Sequence, residues 1–212
     1  MTRVAILALL AVAAAPLAAQ PTAPAPGGSA LVQPSVDSAA ERQALRQLSA
    51  CLATSRPRWA RQTLAEPYLS KAQARVATEA VSGRDNCVRG PEAAFTFRTS
   101  TLVGSLAEHF LSTDLDKADS KRLAAALNTI APLNASEDFA LCVAAGNPEA
   151  ARRLALSEPG SAAETEAVRQ LSARLKPCFA AGETPSVDLQ ALRALVSTAL
   201  YRAVASVVPA SS

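Results

Sequence analysis

Four cysteines and one histidine are the most reactive side chains in this chain, and their spacing decides what chemistry they can do. Structural zinc sites bring their ligands in close pairs such as C-x-x-C, and so do redox dithiols. Cys51, Cys87, Cys142 and Cys178 form no such pair, so neither a metal nor a cofactor is expected. Disulfides are the remaining use, with three pairings possible for four cysteines. The interval from Cys51 to Cys87 equals that from Cys142 to Cys178, which favours one staple within each of those spans.

His109 stands beside Glu108 and shortly before Asp114 and Asp116. A Ser-His-Asp arrangement would need a nucleophile on a strained turn, and no G-x-S-x-G occurs. A Cys-His arrangement would use a thiol that the disulfides require. No phosphate-cradling glycine loop or HExxH is present either. The acid pairs Asp114/Asp116 and Glu164/Glu166 read as helix-starting acids that favour the macrodipole. No residue is therefore assigned a catalytic role, and the expectation is a non-enzymatic protein. One binding candidate stands out, Arg56, Arg58 and Arg61 around Trp59, the chain's single tryptophan. Such a cluster can stack on an aromatic ligand or clamp an anion. The plainer reading is a short helix that shows arginine to water while Trp59 covers the core.

The elements that must position these groups are written twice. CLATSRPRWARQTLAEPYLS at residues 51–70 is echoed by CVAAGNPEAARRLALSEPGS at 142–161, with Cys, Pro, Ala-Arg and Ser in the same places. LVGSLAEHFL at 102–111 matches LVSTALYRAV at 195–204. The first match runs at an offset of 91 and the second at 93, so His109 aligns with Arg202, as a solvated helical edge would allow. Trp59 aligns with Ala150 and Arg58 with Glu149, which confines the basic aromatic feature to one copy. Capping boxes are legible at Ser38–Glu41, Ser70–Gln73 and Ser161–Glu164. Pro57 and Pro148 suit first helical positions. Ala, Leu and Arg dominate from residue 37, and no stretch alternates as a strand would.

These signals predict an all-α fold of two duplicated multi-helix lobes, each stapled by one disulfide. Helices are predicted at 38–53, 57–65, 70–82 and 95–111, and again at 136–145, 148–157, 161–176 and 188–206. Repeat 1 is placed at 37–111 and repeat 2 at 112–206, sharing one core, with a tail at 207–212. Leu123, Leu127 and Ile130 add a helix in the segment between them, ended by Pro132. The final helix carries Arg193 and Arg202, which argues for a core helix and against a membrane span.

MTR followed by VAILALLAVAAAPLAA reads as a signal peptide over 1–19, cleaved at Ala19|Gln20. Residues 20–36 are rich in Pro, Gly and Ala and read as a disordered linker. The formal charge of +3 over the chain is too small to imply a nucleic-acid partner. The NPEAARRL…EPGSAAE core and the LVSTALYRAV helix, over about residues 45–205, resemble exported bacterial proteins built of Cys-flanked helical units. That resemblance implies no activity and gives no residue a role. The expected function is an envelope interaction or structural module in the periplasm or outside the cell. The alternative is a carrier of a small apolar ligand or lipid, in a cavity lined by Phe95, Phe97, Phe110 and Tyr201.

Overall fold

Proline at the first turn, a side-chain oxygen at the cap and an apolar stripe behind it recur along the chain, and helices form where they recur. The computed structural model describes residues 32–33, 38–81, 87, 98–179 and 186–208. In chain order these form β1 (Val32–Gln33), α1 (Ala39–Ser55), α2 (Pro57–Ala65), α3 (Lys71–Val81) and α4 (Thr99–Asp114). A 3₁₀ turn over Leu115–Lys117 leads to α5 (Ser120–Thr129), α6 (Ala135–Gly146), α7 (Pro148–Leu156) and α8 (Ala162–Leu175). A second 3₁₀ turn, Lys176–Cys178, precedes β2 (Val187–Asp188) and the long α9 (Leu189–Val207). The predicted signal peptide lies outside the described residues, and so does most of the predicted 20–36 linker. Two linker residues do form regular structure: Val32 and Gln33 pair in parallel with Val187 and Asp188.

Helices α1 to α4 correspond in order to α6 to α9, and α5 is inserted between the two sets. The disulfides are Cys51–Cys87 and Cys142–Cys178, one in each lobe. α4 and α9 pack against each other more extensively than any other pair, with α1 laid on α4 and α6 on α9. Their crossing is close because position 104 is glycine. A Cβ there would stand 2.5 Å from the Ala194 Cα, where no real side chain fits.

Two apolar clusters result, and the fourth helix of each lobe serves both. The first gathers Leu45, Leu52, Leu64, Leu102 and Leu106, together with Ala194 from α9. The second gathers Leu141, Leu154, Leu171 and Leu200, together with Leu111 and Leu115 at the end of α4. α4 runs to Asp114, past the predicted end at 111, so Asp114 closes a helix and does not open one. It pairs with Lys117 at 2.7 Å, and Asp116 pairs with Arg152. The macrodipole reading of these two acids is corrected accordingly.

The Ser38 box closes as its sequence predicts, with the Glu41 carboxylate accepting from the Ser38 amide at 2.6 Å. The other two boxes differ. Ser70 and Ser161 accept from the amides of Gln73 and Glu164, but the returning side chains take the amide one residue earlier. Leu69 donates to Gln73 at 2.9 Å and Gly160 to Glu164 at 2.6 Å. Both donors have left-handed backbones, φ +63° at Leu69 and +79° at Gly160, which turns their N–H groups toward the helix start.

Candidate functional site: the charged joint between the lobes

Gln73 and Glu164 occupy equivalent places, and the difference between amide and carboxylate sets the chemistry of the joint. In the first lobe Gln73 accepts from Leu69 and also donates, its Nε2 reaching the Thr63 and Glu66 carbonyls at 3.2 Å each. One side chain thus satisfies the end of α2 and the start of α3. Glu164 can only accept. The carbonyls at the end of α7 need another donor, and Arg193 from α9 supplies it, reaching Ser157 O at 2.6 Å and Ala155 O at 3.4 Å.

Arg193 is 1% exposed, a guanidinium in the middle of the protein. Its Nη1 donates to Glu164 Oε1 at 2.8 Å. Its Nε and Nη2 clamp Glu108 of α4 through both carboxylate oxygens, at 2.7 and 3.0 Å. Helix α1 adds two more cations. Arg42 Nη2 reaches Glu164 Oε2 at 3.1 Å. Arg46 reaches Glu108 at 3.4 Å, Glu158 at 3.1 Å and the Ser157 carbonyl at 3.1 Å. A buried carboxylate or guanidinium is tolerated only when paired and hydrogen-bonded, and Glu108, Glu164, Arg46 and Arg193 each have several partners here. Burial pushes the Glu108 carboxyl above the usual carboxylate range, against the pull of Arg193 and Arg46.

A second bridge crosses the joint in the opposite sense. Glu137, at the start of α6, accepts from the Tyr68 amide of the first lobe at 3.0 Å and pairs with Arg202. Asn134 Nδ2 donates to the Tyr68 carbonyl at 2.7 Å. So α1 holds the α7–α8 turn through Arg46, while α6 holds the α2–α3 turn through Glu137 and Asn134. The two halves embrace by equivalent helices with inverted charge.

Outside Glu108 a cleft of about 250 Å³ opens between α1, α4 and the α7–α8 turn, lined by Gln43, Arg46, Gln47, Glu108, His109 and Glu158 among others. His109 is half-buried on its rim, with its ring 5.5 Å from that of Phe110. Burial holds its pKa below the usual imidazole value, opposed by Asp114. Its counterpart Arg202 is no idle edge, since it pairs with a buried carboxylate.

The Arg/Trp candidate is dispersed by the fold. Trp59 is half-buried and its indole N–H donates to the Val76 carbonyl at 2.8 Å, tying α2 to α3. The Arg61 guanidinium lies over the Phe110 ring, 4.5 Å from its centroid, and not over Trp59. Arg58 is exposed and Arg56 half-buried. Phe110 and Tyr201, offered as walls of an apolar cavity, are in contact with ring centroids 5.8 Å apart. Phe95 and Phe97 lie outside the described residues. Among the described residues no group of His, Cys, Asp and Glu is arranged to hold a metal ion.

Sequence reasoning missed Arg42, Arg46, Glu108, Glu137 and Arg193. One signal was available: Gln73 aligns with Glu164, and a carboxylate there demands a partner. Fold and joint together define a class, an all-α protein of two disulfide-stapled lobes locked by a buried ionic cluster. The disulfides fit an oxidising compartment, and among the described residues no helix is long and apolar enough to cross a membrane. Comparison with protein-family models, curated proteins and solved structures found no match.

Proposed function

We propose that this chain is an exported helical module that acts by binding in the cell envelope and not by catalysis. One observation carries the reading: the cysteines staple each lobe internally, and the charged side chains at the joint are engaged with one another. Cys51, Cys87, Cys142 and Cys178 are paired in disulfides. Arg42, Arg46, Glu108, Glu164 and Arg193 pair with one another inside the joint, and the exposed Glu158 adds a further carboxylate to Arg46. A rigid two-lobe body with its charges turned inward suits a scaffold that presents fixed surfaces to other molecules. Arg58 and the edge of Trp59 are the proposed contact surface, on the exposed side of α2.

Fractionation with N-terminal sequencing tests the export half of this reading. The chain is expected to begin at Gln20 in the soluble envelope fraction, and an intact Met1 in the inner membrane would overturn it. In-cell photo-crosslinking from position 58 tests the binding half. A discrete adduct that disappears on Trp59→Ala is expected, and a lysate-like smear unchanged by that substitution would count against it.

A further inference from the structure

The two lobes answer the same structural demand with opposite charges, and in the first lobe Arg46 relies in part on an exposed carboxylate. In the second lobe the acid Glu137 on α6 faces the base Arg202 on α9. By the offsets that relate the repeats, Arg46 stands where Glu137 stands and His109 where Arg202 stands. Two basic side chains therefore line one cleft in the first lobe, with no acid of α1 or α4 between them except Glu108, which Arg193 already clamps through both oxygens.

Charge counting within the joint points the same way. Three guanidinium groups, Arg42, Arg46 and Arg193, face two buried carboxylates, Glu108 and Glu164. The third carboxylate of the described cluster is Glu158, whose side chain is 66% exposed while it holds Arg46. A solvent-exposed ion pair of this kind is worth little and exchanges readily. Glu158 behaves as a tethered stand-in for a free anion.

Ala50 gives the cleft an apolar wall, and hydrogen-bonding groups come from Gln47, Ser105 and Ser112, and from Gln43, whose Oε1 is buried with no hydrogen-bond partner among the described residues. A buried acceptor in that state costs stability until a donor reaches it. We infer that the α1–α4 cleft binds a small hydroxy-carboxylate, whose carboxylate displaces Glu158 from Arg46 and whose hydroxyl donates to Gln43. This adds a ligand and a site to the binding-module reading and does not depend on the α2 surface named there.

His109 supplies a signature that a merely structural role would not. Glu108 and Asp114 on its own helix, Arg46 from α1 and Glu158 from the α7–α8 turn are the charged groups about it. In the unliganded protein burial disfavours its charged form. A bound anion favours that form, so binding takes up a proton and tightens as pH falls through the imidazole range.

The test is an amide-resolved NMR titration of the oxidised chain with lactate and with its uncharged analogue lactamide. Lactate is expected to give saturable shifts confined to Gln43, Arg46, Ser105 and His109, with lactamide giving none. Affinity should rise about twofold to fivefold between about pH 8 and about pH 6, because His109 takes up a proton on binding. His109→Gln should retain binding and lose that pH dependence. Glu158→Gln, at an exposed position that folding tolerates, should tighten binding severalfold, and Arg46→Met should abolish it. Equal shifts from lactamide, no saturation with lactate, or an unchanged affinity in Glu158→Gln would overturn the inference. Because none of these readouts involves α2 or export, their failure would leave the module reading standing.

Discussion

Replacing an amide by a carboxylate at one position obliges two other residues to match it. Gln73 both donates and accepts, so the first lobe closes its turn unaided. Glu164 cannot donate, and the second lobe imports Arg193, which in turn needs Glu108. Arg193→Met should therefore destabilise strongly, by roughly 3 to 5 kcal/mol in urea unfolding, because two buried carboxylates lose their shared cation. Adding Glu108→Gln and Glu164→Gln to that variant should recover part of the loss and no more, since the buried Arg42 would in turn lose its Glu164 carboxylate. A triple variant no more stable than Arg193→Met would show that the cluster is not one unit. The turns preceding these helices offer a cleaner case. The second lobe places Pro159 and Gly160 where a turn with positive φ wants them. The first lobe places Leu69 at φ +63° with 57% of its surface exposed. A branched side chain in that conformation costs about 1 kcal/mol, with little burial to offset it. Leu69→Gly should raise the urea midpoint slightly, by an amount equivalent to about 0.5 kcal/mol, once the entropy cost of glycine is deducted from that relief. A lower midpoint would mean that Leu69 makes a contact worth more than its strain.

At the scale of elements, the approach of α4 to α9 depends on one missing methyl group. Gly104→Ala puts a Cβ 2.5 Å from backbone and side-chain carbon of Ala194, and backbone cannot swing aside. The helices must separate, with a cost of about 2 kcal/mol or more. Ala194→Gly removes one of the two clashing atoms, the Cβ, and should rescue the variant only in part, because the Ala194 Cα remains equally close. Denaturant unfolding of the two variants and their combination measures both effects. Most helix boundaries were legible in the sequence because caps are local: Ser38, Asn147 and Ser161 bind amides within three residues of themselves. The predicted disulfides were legible for a related reason, since equal spacing in two copies implies equal geometry. The ionic joint was not legible. Arg193 and Glu108 are 85 residues apart, and Arg42 and Glu164 are 122 apart. Nothing local pairs them, so only the docking of the lobes reveals the partner. The end of α4 was misjudged because Leu111 and Leu115 serve the opposite lobe's core, a demand that lies outside the first repeat.

For the whole molecule, the question is whether two stapled lobes unfold as two units or as one. Each disulfide closes a loop of 36 residues, which removes about 4 kcal/mol of denatured-state entropy in the chain-entropy model. If the lobes were independent, removing one staple would destabilise its own lobe alone. The packing argues otherwise. Ala194 of α9 belongs to the first lobe's cluster, while Leu111 of α4 and Leu115 of the turn that follows it belong to the second's. Losing either lobe would expose those residues and leave Arg193 or Glu108 buried without its partner. Replacing Cys51 and Cys87 with alanine should therefore lower the stability of the entire chain, by about 4 kcal/mol, and not of one half. Trp59 is the single tryptophan and reports the first lobe, whereas far-ultraviolet circular dichroism reports helices from both. In urea the two signals should move together to a lower midpoint and remain coincident, as a single cooperative transition requires. A tryptophan transition that precedes the loss of half the helical signal would sink the shared-core account, and the lobes would then be two domains that happen to touch.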